Sequence, residues 1–140
     1  MKNKAPLILI EQTVMVLVFA LAAALCLQAF VWADRTSRHN ADRDAAVLHA
    51  RSAAEVLKSQ HGSFTSAADF YGGIADGPSW EISYDENWNK TDSEPAFRLR
   101  VLPTEDTHAY LGSASVEVVT ADGKTLAALP VCWQEVTPNG

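Results

Sequence analysis

Between Pro6 and Gly62 the sequence has neither glycine nor proline, a gap of 55 residues in a chain of 140. All seven glycines and five of the six prolines lie at or beyond position 62. Compact folds turn the chain every ten or twenty residues and turns favour glycine and proline, so the gap excludes a uniform globular domain. Cysteine is scarce: Cys26 lies in an apolar run and Cys132 in the distal part, so the fold cannot depend on an intrachain disulfide. Both read as small buried hydrophobes.

Clustered basic residues are missing as well. Residues 1–33 hold only Lys2, Lys4 and Glu11, a net +1, so the formal charge of −6 leaves −7 on residues 34–140. Phosphate binding needs grouped Lys and Arg, so this acidic part opposes a nucleic-acid partner. Signatures of chemistry are absent too. His39, His49, His61 and His108 show no paired ligand spacing, and the two distant cysteines add no zinc signature. There is no nucleophile elbow, phosphate loop or dinucleotide fingerprint. The expectation is a non-enzymatic protein with no catalytic residues, no metal, no cofactor and no small-molecule substrate.

What fills the gap is apolar. Val14–Ala33 reads VMVLVFALAAALCLQAFVWA, twenty residues with no charge and one amide, Gln28. As a helix it spans about 30 Å, the thickness of a bilayer's hydrocarbon core. A shorter apolar run, Leu7–Ile10, precedes it, separated by Glu11-Gln12-Thr13. Cations flank both ends: Lys2 and Lys4 on one side, Arg35, Arg38 and Arg43 on the other. The short basic head before the first apolar run favours a cytoplasmic amino terminus and an extracytoplasmic remainder. Cleavage of a signal peptide after Val31-Trp32-Ala33 is the competing possibility, although the uninterrupted run exceeds the 7–15 residues of an ordinary signal core.

Helical character continues from Asp34 to His61, rich in alanine. Val47, Ala50, Ala54 and Leu57 follow 3-4-3 spacing and form one narrow apolar stripe. Lys58 and His61 suit a helix carboxyl end, with Gly62 as its left-handed cap. Small side chains in the stripe let another element approach closely, which predicts packing on a sheet or on neighbouring helices.

Beyond Gly62, Ser63–Ser79 is turn-rich with a short helix around Ser66–Tyr71. Trp80, Ile82 and Tyr84 alternate with polar residues, as do Phe97, Leu99 and Val101, so each reads as a strand with one buried face. Ala114–Thr120 and Thr125–Glu135 flank Ala121-Asp122-Gly123-Lys124, a hairpin signal, and Pro130 inside the last strand points to an edge position or a bulge. The fold class is α+β: a long helix on a small antiparallel sheet of about four strands, with Trp80, Phe97 and Trp133 filling the space over the alanines. Asp85, Asn87, Asn89, Thr91 and Ser93 repeat at calcium-loop spacing, but Lys90 replaces the required glycine and Ala96 the bidentate glutamate. A solvated hairpin connection is the better reading, in which Trp88 either makes a contact or folds back on the core.

Leu7-Ile8-Leu9-Ile10-Glu11, an apolar run, an amphipathic helix ending at a glycine near residue 60 and a β-rich carboxyl domain together resemble a type IV pilin or type II secretion pseudopilin. The motif covers the first 62 residues; beyond them the likeness is architectural. The resemblance implies a basic leader, 1–6, cut between Pro6 and Leu7 with methylation of the new amino terminus. A transmembrane half-helix, 7–33, an amphipathic half, 34–61, and an extracytoplasmic domain, 62–140, follow. It also implies that Glu11 acts in assembly, paired with the freed amine of a neighbouring subunit, and that the partners are the membrane, other pilin-like subunits and an assembly machinery. The family's leader glycine is here Pro6, which lacks its conformational freedom and opposes the peptidase. Alternatives from other classes are a bitopic membrane-anchored binding module and a domain secreted after cleavage at Ala33. In the anchored form, Glu11 is only a tolerated polar residue snorkelling to the interface.

Overall fold

The computed structural model describes residues 5–105 and 110–135, so Lys2, Lys4 and His108 lie outside the described residues. One helix, α1, runs unbroken through Ala5–Ser59, 55 residues, as the missing glycine and proline predict. Pro6 sits in its first turn, where the absent N–H is no loss. The chain divides into two compact units, Met1–Asn40 and Ala41–Gly140, and each is described by itself.

In the second unit the carboxyl half of α1 lies on an antiparallel sheet. Its strands are β1 (Ile74–Asp76), β2 (Ser79–Tyr84), β3 (Phe97–Pro103), β4 (Leu111–Thr120) and β5 (Thr125–Gln134), in spatial order β1-β2-β3-β4-β5. There are five strands where the sequence predicts about four. The extra one, β1, is three residues between Gly73 and Gly77-Pro78, too short to display a period of two. It pairs Ile74 with Glu81 and Asp76 with Ser79. Helix α2 (Phe64–Tyr71) precedes it, with the Ser63 hydroxyl accepting the Ser66 N–H at 3.3 Å as an amino-terminal cap.

The core is the meeting of alanines with large sheet residues. Ala46, Ala50, Ala53, Ala54 and Leu57 of α1 are buried against Trp80, Ile82, Tyr84, Leu99, Val101, Val116 and Val118. Relative to the predicted stripe, Ala46 and Ala53 join it and Val47 is only half-buried outside the cluster. The sheet presses on the alanine side of the helix because small side chains allow the backbones to approach. Trp133 of β5 covers Gly112, its cross-strand partner on β4, and also reaches Gly62. A Cβ on either glycine would fall inside the indole ring. Pro130 lies on β5, an edge strand, and pairs in register with Ser115, so of the two expected reasons for a proline there the edge position holds. Cys26 and Cys132, expected to be buried, are both exposed.

The helix ends two residues before the predicted boundary, and its left-handed cap begins on a histidine. The His61 N–H donates to the Lys58 carbonyl at 3.0 Å and the Gly62 N–H to the Leu57 carbonyl at 2.9 Å, a Schellman arrangement that puts His61 at φ 52° ahead of Gly62 at φ 79°.

Two hairpins close in the same way with different residues at the sensitive position. In the β4–β5 loop the Thr120 N–H donates to the Lys124 carbonyl, the Gly123 N–H donates to the Thr120 carbonyl, and Gly123 is left-handed at φ 81°. In the loop after β2 the Asp85 N–H donates to the Asn89 carbonyl, the Trp88 N–H donates to the Asp85 carbonyl, and Trp88 is left-handed at φ 62°. Such a three-residue turn favours glycine at that place. A bulky residue there costs about 1–3 kcal/mol, which its packing must offset.

Candidate assembly surface

The residues singled out by sequence lie in the first unit. Glu11 is exposed on α1 between two apolar runs, and Leu7, just after Pro6, is 71% exposed in the first turns of the helix. From Leu7 to Trp32 every large apolar side chain stands in the open, Phe19 at 76% and Phe30 at 72%. The helix is long and apolar enough to cross a membrane, and its most apolar window buries nothing within the chain. This surface is all-round rather than one-sided, the pattern of a helix whose solvent is lipid or other helices.

Local chemistry keeps the few polar groups compatible with such surroundings. The Thr13 hydroxyl donates to the Leu9 carbonyl at 2.8 Å and the Thr36 hydroxyl to the Trp32 carbonyl at 2.9 Å, so both satisfy themselves within the helix. Trp32 marks the distal end of the apolar stretch, and Arg35 and Arg38 follow directly, the order found at a membrane–water boundary. Arg38 is paired with Asp34 at 3.0 Å, one turn back. Glu11 makes no ion pair among the described residues. Pro6 and Leu7 are helical neighbours at the expected junction, and among the described residues neither makes a side-chain hydrogen bond or ion pair.

The sheet domain offers two further features. A cleft of about 440 Å³ beside β1 and β2 is lined by Ile74 and Asp76 of β1, Ser79 and Glu81 to Ser83 of β2, and Lys90 to Asp92. It holds hydroxyls and carboxylates but no histidine or cysteine, and Glu81 is committed to Arg100 at 3.1 Å. Among the described residues no trio of His, Cys, Asp or Glu is placed to hold a metal ion. In the loop resembling a calcium site, Asp85 Oδ1 accepts the N–H groups of Asn87 and Asn89 at 2.8 and 2.9 Å, and Oδ2 accepts Asn89 Nδ2 at 3.2 Å. These bonds, the Asn89 N–H foremost, hold the Asp85 carboxyl below the usual range and turn it into its own hairpin.

The second feature is an aromatic stack invisible to sequence periodicity. Trp88 folds back onto the core and lies between Phe97, at 4.2 Å and 7° between planes, and His49 of α1, at 5.2 Å and 8°. Tyr84 tilts against His49 at 4.6 Å. Aromatic pairs of this kind contribute about 0.5–1.5 kcal/mol each beyond burial, enough together to hold the left-handed Trp88. Burial and the nearby Lys90 ammonium push the His49 imidazole below its ordinary pKa, and burial lowers Lys90. Burial, then Tyr71, raises the Tyr84 phenol. Lys90 crosses to α2, where Nζ donates to the Tyr71 carbonyl and lies 3.9 Å from the ring centroid of Tyr71. Trp80 Nε1 donates to the Gly72 carbonyl at 2.9 Å, so two side chains close the end of α2. His61 and His39 join none of these groups.

Compared with known proteins, the chain matches no family model, no curated protein and no solved structure.

Proposed function

We propose that this chain is a structural subunit of a pilin-like or pseudopilin-like filament, of the type IV pilus, type II secretion or competence kind, assembling through its apolar amino-terminal helix. The observation that carries the reading is the exposed apolar stretch Leu7–Trp32 on a helix that continues without a break to the sheet-packed stripe Ala46–Leu57. One helix then serves two purposes. Its first part exchanges lipid for neighbouring helices, and its second part anchors the sheet domain.

Glu11 is the expected assembly residue. A carboxylate moved from the membrane surface into a bundle of apolar helices must gain a cation, and a neighbouring subunit's amino terminus supplies one once the chain is cut between Pro6 and Leu7. The amino terminus lies in the cytoplasm before assembly and the domain from residue 62 outside it. The role is structural, with membrane, sister subunits and assembly machinery as partners. Pro6 favours a second reading, an uncut bitopic anchor carrying the same domain as a binding module, because proline at the junction opposes cleavage.

The two exposed cysteines and the intact mass separate these readings. A membrane-impermeant maleimide added to intact cells is expected to label Cys132 and spare Cys26. Mass measurement of the membrane-extracted chain in cells with a prepilin peptidase is expected to find residues 1–6 removed. An uncut chain with Cys132 labelled leaves the anchor, and loss of residues 1–33 overturns both. Glu11→Ala is expected to abolish filament incorporation while leaving membrane insertion intact.

A further inference from the structure

The β4–β5 hairpin meets its left-handed position with Gly123, whereas the equivalent turn after β2 places Trp88 there. That conformation is unfavourable for a bulky side chain and persists only where surrounding contacts enforce it. Here the enforcement is the sandwich of Trp88 between Phe97 of β3 and His49 of α1. Phe97 belongs to the loop's own sheet, but His49 belongs to the helix. The His49–Trp88 contact therefore fastens the 85–96 loop to α1, and it is the one layer of the stack that can gain a charge near neutral pH.

We propose that His49 is the pin of an acid-sensitive latch that holds the 85–96 loop down on α1 and releases it when the imidazole is protonated. The inference stands independently of the filament reading. The surroundings of His49 are stacked against the charged form. Lys90 of the loop acts on it as a like charge. Tyr84 of β2, in ring contact, is neutral at physiological pH, with Tyr71 of α2 beside it. Trp88 and Phe97 carry no charge. One turn away on α1 stand Ala45, Ala46, Ser52 and Ala53, and the Asp85 carboxylate is turned into its own hairpin. Among the described residues His49 makes no ion pair or hydrogen bond, so none of them pairs an anion with the imidazolium.

The direction follows by linkage. His49 in the closed form has a lowered pKa, so the released form, with an ordinary value near about 6.5, takes up the proton more readily. Closure is fully favoured above that value and weakens as pH falls from it toward the lowered one. On release Trp88 can leave the left-handed region, and the backbone strain adds to the opening.

Hydrogen exchange of the full chain in detergent micelles, corrected for the intrinsic pH dependence, tests this at about pH 7.5 and about pH 5. Exchange in residues 85–96 is expected to rise severalfold in acid, while β4 and β5 stay unchanged. His49→Phe, which keeps the stack and cannot ionise, is expected to abolish the acid response; His49→Gln serves if that variant does not fold. Trp88→Gly, which relieves the turn and removes the indole, is expected to exchange fast at both pH values. Exchange that is unchanged or slower in acid overturns the proposal, slower exchange meaning that imidazolium–indole attraction outweighs desolvation. An equal acid response in His49→Phe or Trp88→Gly overturns it too.

Discussion

Tyr84 shows how one atom can work against the core that holds it. Its ring is fully buried, but its hydroxyl, with Tyr71 beside it, makes no hydrogen bond of ordinary length among the described residues. An unsatisfied buried hydroxyl costs about 1–3 kcal/mol, so Tyr84→Phe is expected to match or exceed the wild type in stability, by up to about 1 kcal/mol in denaturant unfolding. Gly112 behaves in the opposite way. Its missing side chain is the space that Trp133 occupies, so Gly112→Ala must displace the indole. Losing that burial is expected to destabilise by about 1.5–3 kcal/mol, read by the same unfolding experiment. At this scale little was legible beforehand. Trp133 was expected over the helix, but that it rests on two glycines depends on the β4–β5 register pairing it with Gly112. A tryptophan in a run of polar residues has no period to place it, so the sequence alone does not choose between a contact and a core role for Trp88.

Among the elements, α1 was the most legible. Missing glycine and proline predicted its continuity, and alanine content predicted a close neighbour. The face was predicted one residue out of phase on one side, since with so many alanines spacing alone cannot say which of them the sheet covers. Ala50 is 1% exposed against the sheet. Ala50→Leu is expected to push helix and sheet apart and cost about 1–3 kcal/mol in thermal or chemical unfolding. The sheet's edges differ. β1 has three residues, too few to template another strand, while β5 has ten and relies on Pro130 to interrupt its free edge. Pro130→Thr is expected to leave the fold intact and raise concentration-dependent association, measured by light scattering. The proline was readable as an edge marker because it cannot donate to a ladder; β1 was not readable because its pairing depends on β2 holding it.

For the whole molecule, composition already separates a lipid-compatible piece from an acidic one. A fragment beginning at Asp34, carrying the −7 side-chain charge and the sheet domain, is expected to be monomeric in aqueous buffer by size-exclusion chromatography. The full chain is expected to require detergent; an equal need in both would show that the domain, too, has an apolar surface to cover. The sequence alone determined the long helix, its apolar first half, the position of Glu11, the α+β class and the alternating strands. These follow from local spacing and from the presence or absence of single residue types, which a reader of one dimension can count. Only the tertiary structure decided the fifth strand, the left-handed His61 and Trp88, the seat of Trp133 and the stack that joins His49 to the 85–96 loop. Each of these depends on residues distant in the chain being brought together. The energy that fixes such features comes from packing, which has no periodic trace in the sequence.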